Sequence, residues 1–140
     1  MIKSGLGILY LCGCVLLMDA PSSAEDKPSV PCDQAVSQTD INLCADLDYR
    51  AADKALNVQW SATKKVLAGW DAELEAQNKG AVDELTKAQR AWIAYRDAHC
   101  NAVGYSVWGG SLYQAVILGC LAEVTRNRTT ELKELADGIQ

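Results

Sequence analysis

The sequence lacks any apolar run long enough to cross a membrane. Its longest apolar run, residues 5–18, has about 14 residues, whereas a membrane-spanning helix needs about 20. Neither an internal repeat nor a low-complexity segment is present in the rest of the chain. We therefore expect a single folded unit and no membrane span in the mature form.

Signals for catalysis and metal binding are also scarce. The chain has one histidine, His99, and contains no Cys-x-x-Cys pair. No Ser-His-Asp order, paired-carboxylate motif or phosphate-cradling glycine loop stands out. A lone histidine at the end of an apolar stripe usually packs rather than transfers protons. We expect no metal ion, no other cofactor and no enzymatic activity.

Positive charge is in deficit. The chain has 13 Lys and Arg against 18 Asp and Glu, a net charge of -5. An acidic chain suits a basic partner and is a poor binder of nucleic acid, whose phosphates repel it. Alternatively, a charge of this size only keeps a small domain in solution.

The N-terminus has the features of an export signal. A basic start at Lys3 precedes the apolar run, and Ser22, Ser23 and Ala24 are small residues of the kind that a signal peptidase accepts. We interpret residues 1–24 as a signal peptide cleaved after Ala24. The alternative is a lipoprotein acylated at Cys14, because residues 11–14 resemble a lipobox.

Two further segments follow the signal peptide. Residues 25–38 contain Pro28 and Pro31 and are expected to form a linker and an N-terminal turn. Residues 39–140 are expected to form a helical domain. Export places this domain in the periplasm or outside the cell.

Four cysteines remain after export, and an even count in an oxidising compartment predicts two disulfides. All three pairings of Cys32, Cys44, Cys100 and Cys120 are open, because the helix ends that carry them can meet at one end of the fold. We favour Cys32 with Cys44 and Cys100 with Cys120, since each bond closes a local loop.

Hydrophobic periodicity predicts an all-α protein with helices at about 41–67, 81–101 and 112–135. Thr39 or Asp40 is the expected cap of the first helix, Gly69 its stop, and Ser111 the cap of the third. The expected architecture is an antiparallel three-helix bundle, or a long helical hairpin with an extra helix, stapled by two disulfides.

The first two helices carry apolar stripes that should face the core. The second helix has Leu85, Ala88, Trp92, Tyr95 and His99 on one side. The first helix has two adjacent stripes and should pack against two neighbours. One stripe is Leu43, Leu47, Ala51, Ala55, Val58, Ala62 and Val66, and the other is Tyr49, Ala52, Leu56, Trp60 and Leu67.

Residues 44–57, 89–100 and 120–132 together resemble the LprI-type lysozyme-inhibitor family of bacterial exported proteins. The central signature is Gln-Arg-x-Trp-x-x-Tyr-Arg-Asp followed by Cys, and then Cys-Leu-x-x-x-Thr-x-x-Arg. The resemblance implies a helical, disulfide-bonded periplasmic or surface domain. Besides the two cysteines, the signature falls on Gln89, Arg90, Trp92, Tyr95, Arg96, Asp97, Leu121, Thr125 and Arg128.

We expect these signature residues to be structural. Trp92 and Tyr95 should be core aromatics, because aromatics at helical spacing beside apolar residues usually pack. Arg96 and Arg128 should each hold a carboxylate, since a planar guanidinium suits fixed pairing. The carboxylates expected to pair with them are Asp46, Asp53 and Glu131.

The resemblance also implies a function, that of an envelope binding module that inhibits lysozyme by occluding its active-site cleft. The partner would be lysozyme or another basic envelope protein. Tyr105, Ser106 and Trp108, between glycines, are the candidate contact residues, because Tyr and Trp supply contact area at low entropic cost. Two alternatives remain: a loop that only covers the end of the fold, and a structural envelope protein without inhibitory activity.

Overall fold

The computed structural model describes residues 27–138, and the expected signal peptide lies outside this range. Three helices account for most of it: α1 (Gln38–Glu73), α2 (Ala81–Gly104) and α3 (Tyr113–Asp137). Short 3-10 turns occur at Cys32–Gln34, Ala76–Asn78 and Tyr105–Val107, and no strand occurs between residues 27 and 138. The predicted all-α fold with three helices is confirmed.

The helices run up, down and up. Asp71 near the end of α1 contacts the first residues of α2, which therefore runs back along α1. A disulfide then joins Cys100 near the end of α2 to Cys120 near the start of α3. The first and third helices run in the same direction and make the largest interhelical contact.

A small leucine cluster forms the core. Leu56 and Leu67 of α1 meet Leu85 of α2 and Leu132 of α3, and all four side chains are buried. Five partly buried side chains pack around this cluster: Trp60, Val66, Ala81, Val82 and Trp92. The core thus draws on all three helices.

A buried hydroxyl links α1 directly to α3. The Oγ1 atom of Thr63 donates a hydrogen bond to the carbonyl of Leu132 at 2.8 Å, and it accepts one from Nε2 of Gln59 at 3.1 Å. Because the buried hydroxyl has both a hydrogen-bond acceptor and a donor as partners, it carries little desolvation cost. Ala52 and Ala122 are also buried, and their small side chains suit close packing of α1 against α3.

The two stripes predicted on α1 differ in burial. The stripe containing Ala52, Leu56 and Leu67 is buried, as expected, but Leu47 and Val58 of the other stripe are exposed by 37% and 68%. The expectation that both stripes are covered was wrong. Both neighbours of α1 pack on the same side of it, so its opposite side faces solvent.

The helix ends also differ from the prediction. Ser37 is the N-cap of α1: its Oγ accepts from the backbone N–H of Asp40 at 3.1 Å and donates to the Asp40 carboxylate. Asp40 is therefore the third helical residue. At the third helix, Leu112 occupies the cap position without a side-chain bond, so the expected cap at Ser111 was wrong.

Part of the expected linker is fastened to α1. Ser29 donates two hydrogen bonds to the Asp40 carboxylate, from its backbone N–H and its hydroxyl, both at 2.7 Å. The Cys32–Cys44 disulfide fixes the same segment a few residues later. Hydrogen bonds from Ser37 and Ser29 lower the pKa of Asp40.

Helix α1 does not stop at Gly69 but continues to Glu73. One glycine inside a helix costs only about 1 kcal/mol relative to alanine. The continuation brings Asp71 to the start of α2, where its carboxylate accepts from the backbone N–H groups of Gly80, Ala81 and Val82 at 2.8, 2.9 and 3.2 Å. These bonds lower the pKa of Asp71 below its ordinary value of 3.8.

We predict that Asp71→Asn destabilises the domain at neutral pH but not in strong acid. The folded-state pKa is lowered, so the carboxylate contributes all of its stability above pH about 4 and loses it as the pH falls through the folded-state value. Urea unfolding of both proteins between pH 2 and pH 7 measures this. A stability difference that stays constant over that range would contradict the capping role.

We predict that replacing both Cys100 and Cys120 by Ala lowers the free energy of unfolding by about 3 kcal/mol. The bond closes a loop with a sequence separation of 20 residues, and removing it restores conformational entropy to the unfolded chain. Urea denaturation followed by circular dichroism measures the change. A loss of less than about 1 kcal/mol would contradict the assignment of this bond as a main stabilising element.

Candidate partner-binding site

The predicted contact residues lie at the end of the bundle where α2 turns into α3. The rings of Tyr105 and Trp108 stack with centroids 4.9 Å apart and planes 8° apart, and Tyr113 meets Trp108 edge-on at 5.1 Å. Tyr105 and Trp108 are each 65% exposed. We call Tyr105, Ser106, Trp108 and Tyr113 the aromatic tip.

Ser106 shapes the tip from within. Its Oγ donates a hydrogen bond to the carbonyl of Val103 at 2.7 Å, across the junction between α2 and the 3-10 turn. The side chain itself remains exposed. Ser106 therefore supports the backbone that presents the two rings and keeps an acceptor lone pair for a partner.

Two glycines permit this arrangement. A Cβ added to Gly104 would lie 2.6 Å from Cγ1 of Ile117 and 3.1 Å from Cε2 of Tyr113, so only glycine allows α3 to approach so closely. Gly109 has a φ of +76°, which residues with a side chain rarely adopt. The backbone of the tip is thus specified by its glycines.

The Cys100–Cys120 disulfide forms the base of the tip. Cys100 is fully buried one turn before Gly104, and the bond joins it to the second turn of α3. Both helices that lead into and out of the tip are therefore covalently joined below it. An aromatic pair on such a base loses little conformational entropy when it binds a partner.

The tip is electrically neutral. Between Asp97 and Glu123 the sequence contains no Asp, Glu, Lys or Arg, although charged residues are 22% of the whole chain. The acidic residues that give the chain its negative charge therefore lie elsewhere. A neutral tip can approach either sign of charge without long-range repulsion.

The signature residue Arg96 occupies a separate, interior site between α1 and α2. Its guanidinium lies over the rings of Trp92 at 5.1 Å and Tyr49 at 5.7 Å, and donates to Asp97 Oδ1 at 2.8 and 2.9 Å. Asp53 lies 3.8 Å away. The Arg96 side chain is only 11% exposed, which indicates a structural role.

Burial is also the main reason that the pKa of Tyr49 is raised, although the nearby Arg96 charge opposes the shift. The phenol therefore stays protonated at neutral pH. Asp46 is one of the carboxylates expected to pair with Arg96 or Arg128, but it pairs with Arg50 at 2.7 Å.

A second signature arginine links α2 to α3. Arg128 donates from Nε to the buried Gln89 side chain at 3.0 Å and from Nη1 to Glu131 at 2.8 Å.

The remaining signature residues differ in burial. Thr125 is fully buried, and its hydroxyl has no hydrogen-bond partner among the described residues. Leu121 is half-buried and Arg90 is exposed. All of these residues lie outside the aromatic tip, and Gln89, Thr125 and Arg128 lie at the helix interfaces.

The expectation for Tyr95 was wrong. Its side chain is 58% exposed and stacks on His99 at 5.3 Å, on the outer side of α2. Ala88 and His99 of the predicted stripe are exposed as well, whereas Leu85 is buried and Trp92 is half-buried. The whole buried side of α2 is Leu85, Gln89, Arg96, Cys100 and Gly104. Gln89 and Arg96 can be buried there because their polar groups have hydrogen-bond partners. The pattern of apolar residues alone therefore does not predict which side of α2 is buried.

Sequence reasoning missed Tyr113, which contacts Trp108, and Gly104, which the close approach of α3 requires. Tyr113 lies three residues after Gly110, where the glycine-flanked aromatic stretch ends, so a slightly longer stretch includes it. Gly104 gives no local signal, because its constraint comes from Ile117 on another helix.

Two other kinds of site are absent from residues 27–138. No group of three or more His, Cys, Asp or Glu side chains in this range is placed to hold a metal ion. None of its helices combines the length and apolar character needed to span a bilayer.

Comparison with known proteins gives two matches. The model of a family described as lysozyme inhibitor LprI matches residues 32–132. An uncharacterized protein of Rhizobium meliloti (strain 1021) is 46% identical over 129 residues, covering 90% of this chain and 92% of that protein. No solved structure matches. The matched range includes all three helices except the last residues of α3.

We predict that Arg96→Lys destabilises the domain by about 1–2 kcal/mol, because lysine keeps the charge but loses the planar stacking on two rings and the paired bonds to Asp97. Arg90→Lys on the same helix is the matched control, since Arg90 is exposed. Urea denaturation measures both. Equal stability of the two variants would contradict a structural role for Arg96.

Proposed function

The chain belongs to the lysozyme inhibitor LprI family, and from this membership we propose that it is an exported binding module of the cell envelope that inhibits lysozyme by occluding its active-site cleft. The observation that carries the proposal is the aromatic tip. It presents Tyr105 and Trp108 as an exposed pair on a disulfide-bonded base.

The chemistry of the tip suits such a cleft. Lysozymes cleave glycans with two carboxyl groups that flank the scissile bond. An acidic insert would be repelled by the ionised carboxylate, whereas the tip has no charged residue from position 98 to 122. Large aromatic side chains that become buried on binding often dominate the affinity of an interface. Tyr105 and Trp108 are therefore the proposed anchors.

The charge of the rest of the domain supports the same partner. Lysozymes are commonly basic proteins, and the chain has a net charge of -5. Opposite net charges speed the encounter of two proteins even when the final contact is uncharged. Attraction thus comes from the body of the domain, and the specific contact comes from the tip.

The disulfides support the proposed location. The domain contains two disulfide bonds, Cys32–Cys44 and Cys100–Cys120, and its core is one small leucine cluster. Disulfides persist in oxidising compartments such as the periplasm or the exterior. We therefore propose that the domain acts in the periplasm or outside the cell, where lysozyme attacks the wall.

We predict that the oxidised domain, added in excess, slows the lysis of a cell-wall suspension by hen-type lysozyme. Trp108→Ala should raise the concentration needed for half-inhibition by about 30-fold, which corresponds to the loss of one hot-spot side chain of about 2 kcal/mol. The fall in turbidity with time measures the rate.

Trp70→Ala is the matched control. Trp70 is 40% exposed and lies near the end of α1, at the opposite end of the bundle from the tip. This variant should inhibit like the unchanged domain. Undiminished lysis with the unchanged domain would contradict inhibition and favour a structural envelope role. Equal inhibition by Trp108→Ala would contradict the proposed contact.

A further inference from the structure

Trp108 lines two shallow, open depressions in the surface. One, with a volume of about 360 Å³, is lined by Val107, Trp108, Gly110, Ser111 and Leu112. The other, of about 320 Å³, is lined by Trp108, Gly109, Gly110 and Tyr113. The two share Trp108 and Gly110, so they form adjacent compartments that are both lined by one indole ring.

The chemistry of this surface narrows the class of ligand. With no Asp, Glu, Lys or Arg between residues 98 and 122, it offers no charge to pair with an ion, a phosphate or a nucleic acid. Its polar groups are the backbone and hydroxyls, including the exposed side chain of Ser111. Compact apolar ligands usually occupy enclosed pockets, and these depressions are open.

A sugar ring has the complementary chemistry. Its two faces carry C–H groups that can pack on the electron-rich face of an aromatic ring, and its rim carries hydroxyls that bond to neutral donors and acceptors. A chain of such rings is long and open at both ends, so it needs a shallow surface with several compartments. The tip combines exposed aromatic rings, neutral polar groups and two adjoining depressions.

We propose that the aromatic tip is itself a carbohydrate-binding site for an uncharged glycan chain. Trp108 supplies the aromatic platform and is supported by the ring of Tyr105, which stacks on one of its faces. Ser111 with the glycine backbone at 109–110 supplies hydrogen-bonding groups. Neighbouring sugar rings occupy the two depressions beside Trp108. This activity does not depend on lysozyme: it holds the domain on wall glycans.

Insoluble chitin, a neutral polymer of N-acetylglucosamine, is a suitable probe in the absence of lysozyme. The oxidised domain should sediment with chitin, and the bound fraction should be the same in 0.05 M and 0.5 M salt because no ion pairs form. Trp108→Ala and Tyr105→Ala should each weaken the retention at least tenfold. Trp70→Ala should bind normally, and circular dichroism should show the same helix content for all four proteins.

Several results would overturn the proposal. They are failure of the unchanged domain to sediment with chitin, full retention of both tip variants, and retention that disappears in 0.5 M salt. Sedimentation with zwitterionic lipid vesicles but not with chitin would also overturn it, because it would identify the tip as a membrane-surface contact.

The lysozyme assay separates this proposal from the previous one. Retention on chitin without inhibition of lysozyme on a soluble substrate would support the glycan site and contradict cleft occlusion. Inhibition on the soluble substrate without retention on chitin would do the reverse.

Discussion

The covalent bond between Cys100 and Cys120 is the constraint on which the rest of the structure depends most. It joins the end of α2 to the start of α3, where Gly104 packs closely against Ile117. The tip emerges directly from this junction. The core is one cluster of four buried leucines with five partly buried neighbours, which is a modest source of stability for a small exported domain. Cross-linking the helices reduces the conformational entropy of the unfolded chain, and it holds together the two helix ends from which the exposed rings project.

Polar groups also specify how the helices meet. The Thr63 hydroxyl bonds to a backbone carbonyl of α3, Gln89 bonds to Arg128, and Arg96 lies between two aromatic rings. Each of these groups would be costly to bury without its partner, so helix registers that separate the partners are disfavoured. The bundle thus obtains its register from paired polar side chains as well as from leucines.

Much of the fold could be predicted from the sequence, because helical periodicity and an even cysteine count are local and simple signals. The three helices and the disulfides Cys32–Cys44 and Cys100–Cys120 agree with those expectations. The exposure of Tyr95 and the burial of Arg96 could not be predicted from apolar periodicity, because Arg96 is buried by contacts with Tyr49 and Asp53 of α1. Asp71 illustrates the same limit, since its carboxylate caps α2 only after α1 has passed Gly69.

The domain consists of a helical body and a chemically different aromatic tip. The signature arginines hold the helices together, whereas Tyr105 and Trp108 project from the neutral end into solvent. The body carries the acidic charge and the disulfides, and the tip carries the proposed recognition of a sugar-binding cleft and of sugar itself.

The most direct test is to locate the lysozyme contact by NMR on the ¹⁵N-labelled oxidised domain during titration with unlabelled lysozyme. The account predicts that the largest chemical-shift changes fall on residues 103–113 and that residues 70–84 at the opposite end change little. Largest changes at residues 70–84, or no changes at all with excess lysozyme, would contradict it.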